Sequence, residues 1–424
     1  MKTRKRSMGT TRSKYKKIAT YLKNTCTSSG ECLSFGKQVQ PIIDFFDGFT
    51  KFTYVTGFLK TLDEESSNGV IHEVTYSRNQ YTAHAVLKSS KTYKADNLLY
   101  EYLVGTQYIN PKLQSFPCFI QTYGLYYYKG EKEYQFMNNQ HISAKKLLEY
   151  ALLPSTQIDY GRSCESSSLT SILIQHLHST ISIHDVVDTS NPISTLELHS
   201  IFFILYHALS SLATTFTHYD LHQANILLFI PDQKKCIQYV YHLKDGTTIR
   251  FKSKCVPKII DYGRCYFKTA KLSSEDVYHK VCSNPRCEQC GKHQGYKTLN
   301  DPVPMFCSRY KNESADLRIL NEHLLKKVNK LKKSTHSLYY LKRLLRRVQY
   351  GEGVDDSDKM YGTQEDLTLH PDGSIIANVT DAYHEFKKIM LMPDIQSENN
   401  SACKQLPVLG TLHVYDDKSM VYTI

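Results

Sequence analysis

The chain has 424 residues, enough for roughly two to three domains or lobes, and its 41% hydrophobic and 22% charged content is ordinary for a globular protein. No apolar run reaches the ~20 residues of a membrane-spanning helix, and no apolar stretch follows the basic N-terminus, so neither a membrane protein nor a secreted one is expected. The expected setting is intracellular, cytoplasmic or nuclear, where the 12 cysteines stay reduced and clustered ones hold metal more often than they pair as disulfides. The formal charge of +12 gathers in two places: Lys2-Thr-Arg-Lys-Arg6, continued by Arg12, Lys14, Lys16 and Lys17, and the stretch from Lys326 to Arg347. Each is solvated surface, a nuclear-import signal or a contact for nucleic acid.

In chain order, residues 1 to about 35 are polar, basic and rich in Ser and Thr, and read as a mobile extension; a short helix completes a segment ending near residue 50. Val70–Tyr76 and Tyr81–Leu87 alternate apolar and polar residues, which predicts two strands joined by a turn at Ser77 to Gln80. A helix is expected near Ala95 to Val104, then strands at Phe119–Tyr128 and Leu169–Ile174, separated by a Ser-rich loop. Leu196–Phe216 is apolar almost all round, the pattern of a buried helix. Short apolar runs follow at Ile226–Ile230 and Val256–Ile260. The last third reads as mostly helical and ends in a strand pair within Thr411–Ile424.

Two segments carry chemistry. In His218-Tyr-Asp-Leu-His-Gln-Ala-Asn225 an Asp is followed five residues later by an Asn, between a buried helix and an apolar strand. Such an Asp can accept the proton of an attacking hydroxyl, and the Asn offers an oxygen to a metal ion. In Lys258-Ile-Ile-Asp-Tyr-Gly263 an apolar strand ends in Asp-aromatic-Gly, where a rigid strand holds a Mg²⁺-binding carboxylate and Gly263 is expected to let the chain turn away.

Together these segments resemble the catalytic loop and D-F-G motif of the protein kinase superfamily. The resemblance implies an α+β, bilobal fold: a small β-rich lobe over residues 51–177, with a hinge at Gln175 to Leu177, and a larger helical lobe over 178–424. It implies Asp220 as catalytic base, Asn225 and Asp261 as Mg²⁺ ligands, and Tyr262 in the place of Phe. Ala85-Val-Leu-Lys88 looks like the V-A-I-K strand, with Lys88 reaching the ATP phosphates and Glu101 as its helix partner. Ser314-Ala-Asp-Leu-Arg318 is similar to the helix start whose buried Asp, here Asp316, anchors the catalytic-loop backbone.

The pattern also departs from the family. Counting back from Lys88 puts the glycine-rich loop at Ser67 to Val74, with Ser67, Gly69, His72 and Val74 at the motif positions and only Gly69 a glycine. A bulky His72 there is expected to hold the loop away from phosphate. Tyr219 replaces the Arg of H-R-D, which speaks against switching by activation-loop phosphorylation, and His222 stands where Ser/Thr kinases carry a Lys. No A-P-E motif follows. Instead Cys282, Cys287, Cys290 and His293, with Cys265, His279 and Cys307 in reserve, fit a structural Zn²⁺ site in a segment over about 265–307, or remain free. Asp44-Phe-Phe-Asp-Gly48 mimics D-F-G but precedes Lys88, and reads as the end of an amphipathic helix.

With Cys32-Leu-Ser-Phe-Gly36 and Asp96–Tyr102, the whole looks most like the kinase-like proteins of large nucleocytoplasmic DNA viruses, which implies a location in host cytoplasm. The implied activity is Mg²⁺-dependent transfer of the ATP γ-phosphate to Ser or Thr of a protein. Two alternatives stay open: a catalytically weak scaffold, suggested by the worn glycine loop, and a small-molecule kinase, suggested by His222.

Overall fold

A computed structural model describes residues 35–36, 39–63, 69–90, 98–135, 143–155, 169–177, 180–188, 195–281, 311–320, 322–331, 335–349, 373–402 and 406–423. The architecture is mixed α+β. Six antiparallel strands form the largest sheet, in the order β1 (Val55–Asp63), β2 (Gly69–Arg78), β3 (Tyr81–Ser90), β6 (Thr170–His176), β4 (Thr122–Tyr128) and β5 (Leu152–Pro154). The β2–β3 turn has Asn79 in the left-handed region (φ 55°), a conformation Asn tolerates.

Period-2 alternation gives this sheet two chemically distinct faces. On one, Val74, Tyr76, Ala85, Leu87 and Leu173 pack against Phe45, Phe46, Phe49 and Phe52, which belong to or follow helix α1 (Val39–Phe45), and against Leu147 and Leu148 of helix α3 (Ala144–Ala151). Phe46, Phe49 and Tyr123 stack in series, at 5.2 Å and 4.4 Å between ring centres. Asp44 and Asp47 therefore sit at the end of α1 and in the turn after it, as the helix-end reading of that segment expects.

The other face carries Ile71, Glu73, Val86, Lys88 and Ile172, because Ile71 pairs with Lys88, Glu73 with Val86, and Lys88 with Ile172. It meets helix α2 (Leu98–Leu103), which widens into a π-helical turn over Val104–Ile109. Gly105 lies in that turn, where the helix backbone approaches β4: a Cβ there would stand 2.0 Å from Thr122 Oγ1 and 2.7 Å from Thr122 Cβ.

The second core surrounds helix α4 (Thr195–Leu212), whose residues Ile201 to Tyr206 are all fully buried. An all-apolar helix needs neighbours on every side. Phe202 and Tyr206 meet Phe386 of helix α6 (Val379–Met390) at 5.5 Å and 5.8 Å, and Phe203 meets Tyr241 at 4.9 Å. His199 reaches the carbonyl of Ser337 in helix α5 (His336–Leu345). Tyr241 belongs to a four-stranded sheet, β11 (Thr248–Ser253), β10 (Cys236–His242), β14 (Val408–Tyr415) and β15 (Val421–Thr423). Within it β10 pairs with β14 in parallel, so the C-terminal strands close against the middle of the chain.

Between the two cores, Leu177 follows β6 of the large sheet, and β7 (Thr180–Ser182) belongs to a three-stranded sheet with β9 (Ile226–Phe229) and β12 (Val256–Ile259). β8 (Phe216–Thr217) and β13 (Tyr266–Phe267) make a further short pair. Among the described residues no helix is long and apolar enough to cross a membrane.

The contact at Gly105 sets how closely α2 lies on the sheet. Gly105→Ala is expected to push the π turn off Thr122 and cost about 1–3 kcal/mol, read as a lower urea midpoint with an unchanged slope.

Candidate active site

β3 delivers Lys88 to the face opposite the aromatic core, and α2 delivers Glu101 toward it. Lys88 Nζ lies 2.8 Å from Glu101 Oε2 and 3.1 Å from Asp261 Oδ1. Glu101 is 2% exposed, and burial raises its pKa, opposed by Lys88 and by the Tyr262 amide that donates to it. Asp261 is pushed up by burial as well, but Lys88, His218 and Arg264 outweigh that and hold it below the usual carboxylate range. Asp261 is thus an ionised carboxylate presented by β12.

Asp261 itself adopts the left-handed region (φ 66°, ψ 76°). The chain therefore turns at the aspartate, and Gly263 has no positive φ; a Cβ on it would meet Asp261 and Glu101 only at 3.6 Å and 3.9 Å. The expectation that Gly263 supplies the turn is corrected accordingly: the strain sits on Asp261, at an order-of-magnitude cost of ~1–2 kcal/mol. Tyr262 shows why its ring carries a hydroxyl. Its OH donates to the Ile259 carbonyl at 2.9 Å and accepts from the Ile120 amide at 3.0 Å, tying β12 to the segment before β4.

The loop after β8 holds Asp220 and Asn225. Its backbone is fixed by Asp316, whose two carboxylate oxygens accept from the His218 amide at 2.7 Å and the Tyr219 amide at 2.9 Å. Tyr219 is held at φ 64°. His218 Nε2 donates to the Ile260 carbonyl at 2.9 Å, and the Ile260 amide donates to the Asn225 carbonyl at 3.1 Å, so the loop and the approach to Asp261 are stitched together. Asn225 Nδ2 donates to the Asp220 carbonyl at 2.9 Å, which leaves its amide oxygen as the group that could face a cation.

Around the Asp220 carboxylate stand Arg318 Nη1, 3.0 Å from Oδ1, and Arg264 Nη1, 3.4 Å from Oδ2, with His222 Nε2 at 3.8 Å. His222 Nδ1 accepts from the Ala224 amide, and burial lowers the pKa of the ring, so the histidine is neutral near pH 7. A carboxylate has about four lone-pair sites, so two guanidiniums leave room for a hydroxyl.

The structure thus brings together Lys88, Glu101 and Asp261, and joins Asp220 and Asn225 to them through the backbone. It places two other expected residues elsewhere. Val74 and His72 are buried, and their partners Ala85 and Leu87 lie in the aromatic core on the face away from Lys88. The count back from Lys88 carried the loop motif into β2, where alternation turns these positions to the aromatic face; the positions on the Lys88 face are Ile71, Glu73 and Val86. Gly69 is the first residue of β2, and Ser67 lies outside the described residues.

Cys282, Cys287, Cys290, His293 and Cys307 also lie outside the described residues. Cys265 is buried, and burial raises its pKa well above the usual thiol value, the state of a core thiol. Among the described residues no three His, Cys, Asp or Glu side chains are placed to hold a metal ion. The Ile260 amide, bonded to the Asn225 carbonyl, links Asn225 to the residue before Asp261.

Neither arginine is among the expected site residues, although Arg318 ends the segment Ser314–Arg318 and Arg264 directly follows the Asp-Tyr-Gly segment. Nothing in the spacing reveals that both converge on Asp220. No model of a known protein family matches the chain, and no curated protein matches it either.

Burial pushes the Asp316 carboxyl up to about 7, against the two amides that favour its ionised form. An unfolded Asp titrates near ~4, so between those values the folded chain holds a proton that the unfolded chain releases. The contribution of Asp316 to stability therefore declines as pH rises from about 4 to about 7 and is flat above; Asp316→Asn is expected to abolish that slope in unfolding measured across this range. Asp316→Ala leaves two buried amides without an acceptor, at roughly 1–3 kcal/mol apiece, and is expected to lower the denaturant midpoint more than the Asn variant does.

Proposed function

We propose that this chain is a divergent bilobal protein kinase that transfers the terminal phosphoryl group of Mg-ATP to a Ser or Thr hydroxyl of a protein. The observation that carries the reading is the meeting of Lys88, from the large sheet, with Glu101 at 2.8 Å and Asp261 at 3.1 Å, beside a loop whose Asp220 and Asn225 are braced by Asp316. A buried ammonium shared by two carboxylates costs desolvation energy, and that cost is understandable where the ammonium must meet phosphate.

On this reading the six-stranded sheet with α2 is the small lobe, the part built on α4 the large one, and nucleotide lies between them. The apolar side chains Ile71 and Val86, on the Lys88 face, would roof the base. Lys88, oriented by Glu101, binds the non-transferred phosphates. Asp261 and the Asn225 amide oxygen would hold Mg²⁺, which supplies charge neutralisation of the phosphates when bound. Asp220 orients the acceptor hydroxyl and takes its proton. The residues work by positioning and electrostatics, with no covalent intermediate on the protein.

Nucleotide binding and phosphate transfer separate the readings. Wild-type chain with Mg²⁺ and γ-labelled ATP is expected to label itself or a generic protein acceptor. Asp220→Asn should lower turnover by about 10²–10⁴-fold while nucleotide binding persists; Asp261→Asn should weaken Mg-nucleotide binding and abolish labelling. ATP bound without transfer to protein would move the function to a scaffold, or to a small-molecule acceptor if ATP is still consumed.

A further inference from the structure

Three carboxylates, Glu101, Asp261 and Asp220, face the cleft beside one ammonium, Lys88, which is already shared between the first two. A phosphoryl group in transit brings further negative charge, and beyond the Mg²⁺ proposed for Asp261 and Asn225 a cation on the acceptor side, beside Asp220, would stabilise it. Arg264 and Arg318 are the two guanidiniums against Asp220, and they are built into the fold differently.

Arg318 lies on the 3₁₀ turn Ala315–Leu320, the same turn whose Asp316 grips the loop amides, and it meets Asp220 Oδ1 at 3.0 Å. It holds the loop from the side of its scaffold. Arg264 ends the turn Tyr262–Arg264, which starts directly after Asp261, and it meets Asp220 Oδ2 at 3.4 Å. Its charge also acts on Asp261, helping to keep that carboxylate ionised. Arg264 therefore stands against Asp220 and only three residues after Asp261, the two carboxylates between which, on the kinase reading that this inference rests on, the phosphoryl group must pass.

We propose that Arg264 is a catalytic residue, a guanidinium that leaves Asp220 Oδ2 to bond the phosphoryl group as it moves from ATP to the acceptor. An acceptor oxygen hydrogen-bonded to Asp220 at ~2.7 Å puts the phosphorus one bond beyond it, within the sweep of an Arg264 side chain already at that carboxylate. In the step, the bond between the γ-phosphorus and the β–γ bridging oxygen breaks and its electron pair stays on ADP. The acceptor oxygen bonds the phosphorus, and its proton passes to Asp220. Protonation neutralises Asp220 and loosens its hold on Arg264 as charge develops on the phosphoryl oxygens. The guanidinium then bonds more strongly in the transition state than in the ground state, the condition for raising kcat. Its planar fork matches phosphate oxygens.

The test uses the full chain as wild type, Arg264→Ala, Arg264→Lys and Arg318→Ala. Two readouts are taken: kcat and KM for γ-phosphate transfer to whichever acceptor the wild type labels, and affinity for Mg-ADP with and without aluminium fluoride, a mimic of the transferring phosphoryl group. Arg264→Ala is expected to lower kcat by about 10²–10³-fold with KM for ATP within a few-fold, and to lose the fluoride-dependent gain in ADP affinity. Arg264→Lys, which keeps the charge, is expected to recover part of both. Arg318→Ala is expected to keep the fluoride gain. An Arg264→Ala chain with normal kcat, or loss of the fluoride gain in Arg318→Ala equal to that in Arg264→Ala, overturns the assignment while leaving the kinase reading in place. A wild type that neither transfers phosphate nor responds to fluoride overturns both.

Discussion

The buried ammonium of Lys88 is the constraint on which the rest of the arrangement depends. An ammonium 7% exposed at its side chain must find acceptors, and it finds two carboxylates from separate elements, Glu101 on α2 and Asp261 after β12. Removing Lys88 would leave the buried Glu101 and part-buried Asp261 carboxylates close together with no cation between them, a penalty of roughly 3–5 kcal/mol. The large sheet, the helix beneath it and the strand from the second core are thereby held in one relative placement. The apolar packing around them supplies the bulk of the stability, but it is not directional and does not choose this register.

Strain marks the same region. Two non-glycine residues of the site, Tyr219 and Asp261, occupy the left-handed region, one directly before Asp220 and the other the carboxylate that meets Lys88. Each is locked by hydrogen bonds that alternative conformations would forfeit: the Tyr219 amide by Asp316, and the segment at Asp261 by the hydroxyl of Tyr262. Local strain held by surrounding structure is common where side chains must be presented for chemistry. The two strained points are joined by hydrogen bonds through His218, Ile260 and Asn225.

Several features were legible in the residues because short-range physics governs them. Alternation at Tyr81–Leu87 marks β3, and the stretch from Leu196, apolar almost all round, marks a buried helix, observed as Thr195–Leu212. The pairing of Lys88 with Glu101, at 2.8 Å, was expected from the kinase resemblance rather than from the residues alone. Val74 and His72 were misplaced because a motif count ignores which face a strand position takes, and a shift of one residue reverses the face. The hairpin of β10 and β11 went unread: its alternation is regular, but its place in the fold depends on a parallel partner, β14, from the far end of the chain.

The sequence by itself determined many of the strands and helices and the two acidic segments, since periodicity and local residue chemistry are properties of neighbouring positions; the α+β class came from the family resemblance those segments carry. Only the tertiary structure decided that Asp261, rather than Gly263, makes the turn, that Tyr262 spends its hydroxyl on two backbone groups, and that Arg264 and Arg318 close on Asp220. The physical reason is range. A guanidinium finds its carboxylate only after the cores have packed and brought distant elements together, and no spacing in the chain records that distance.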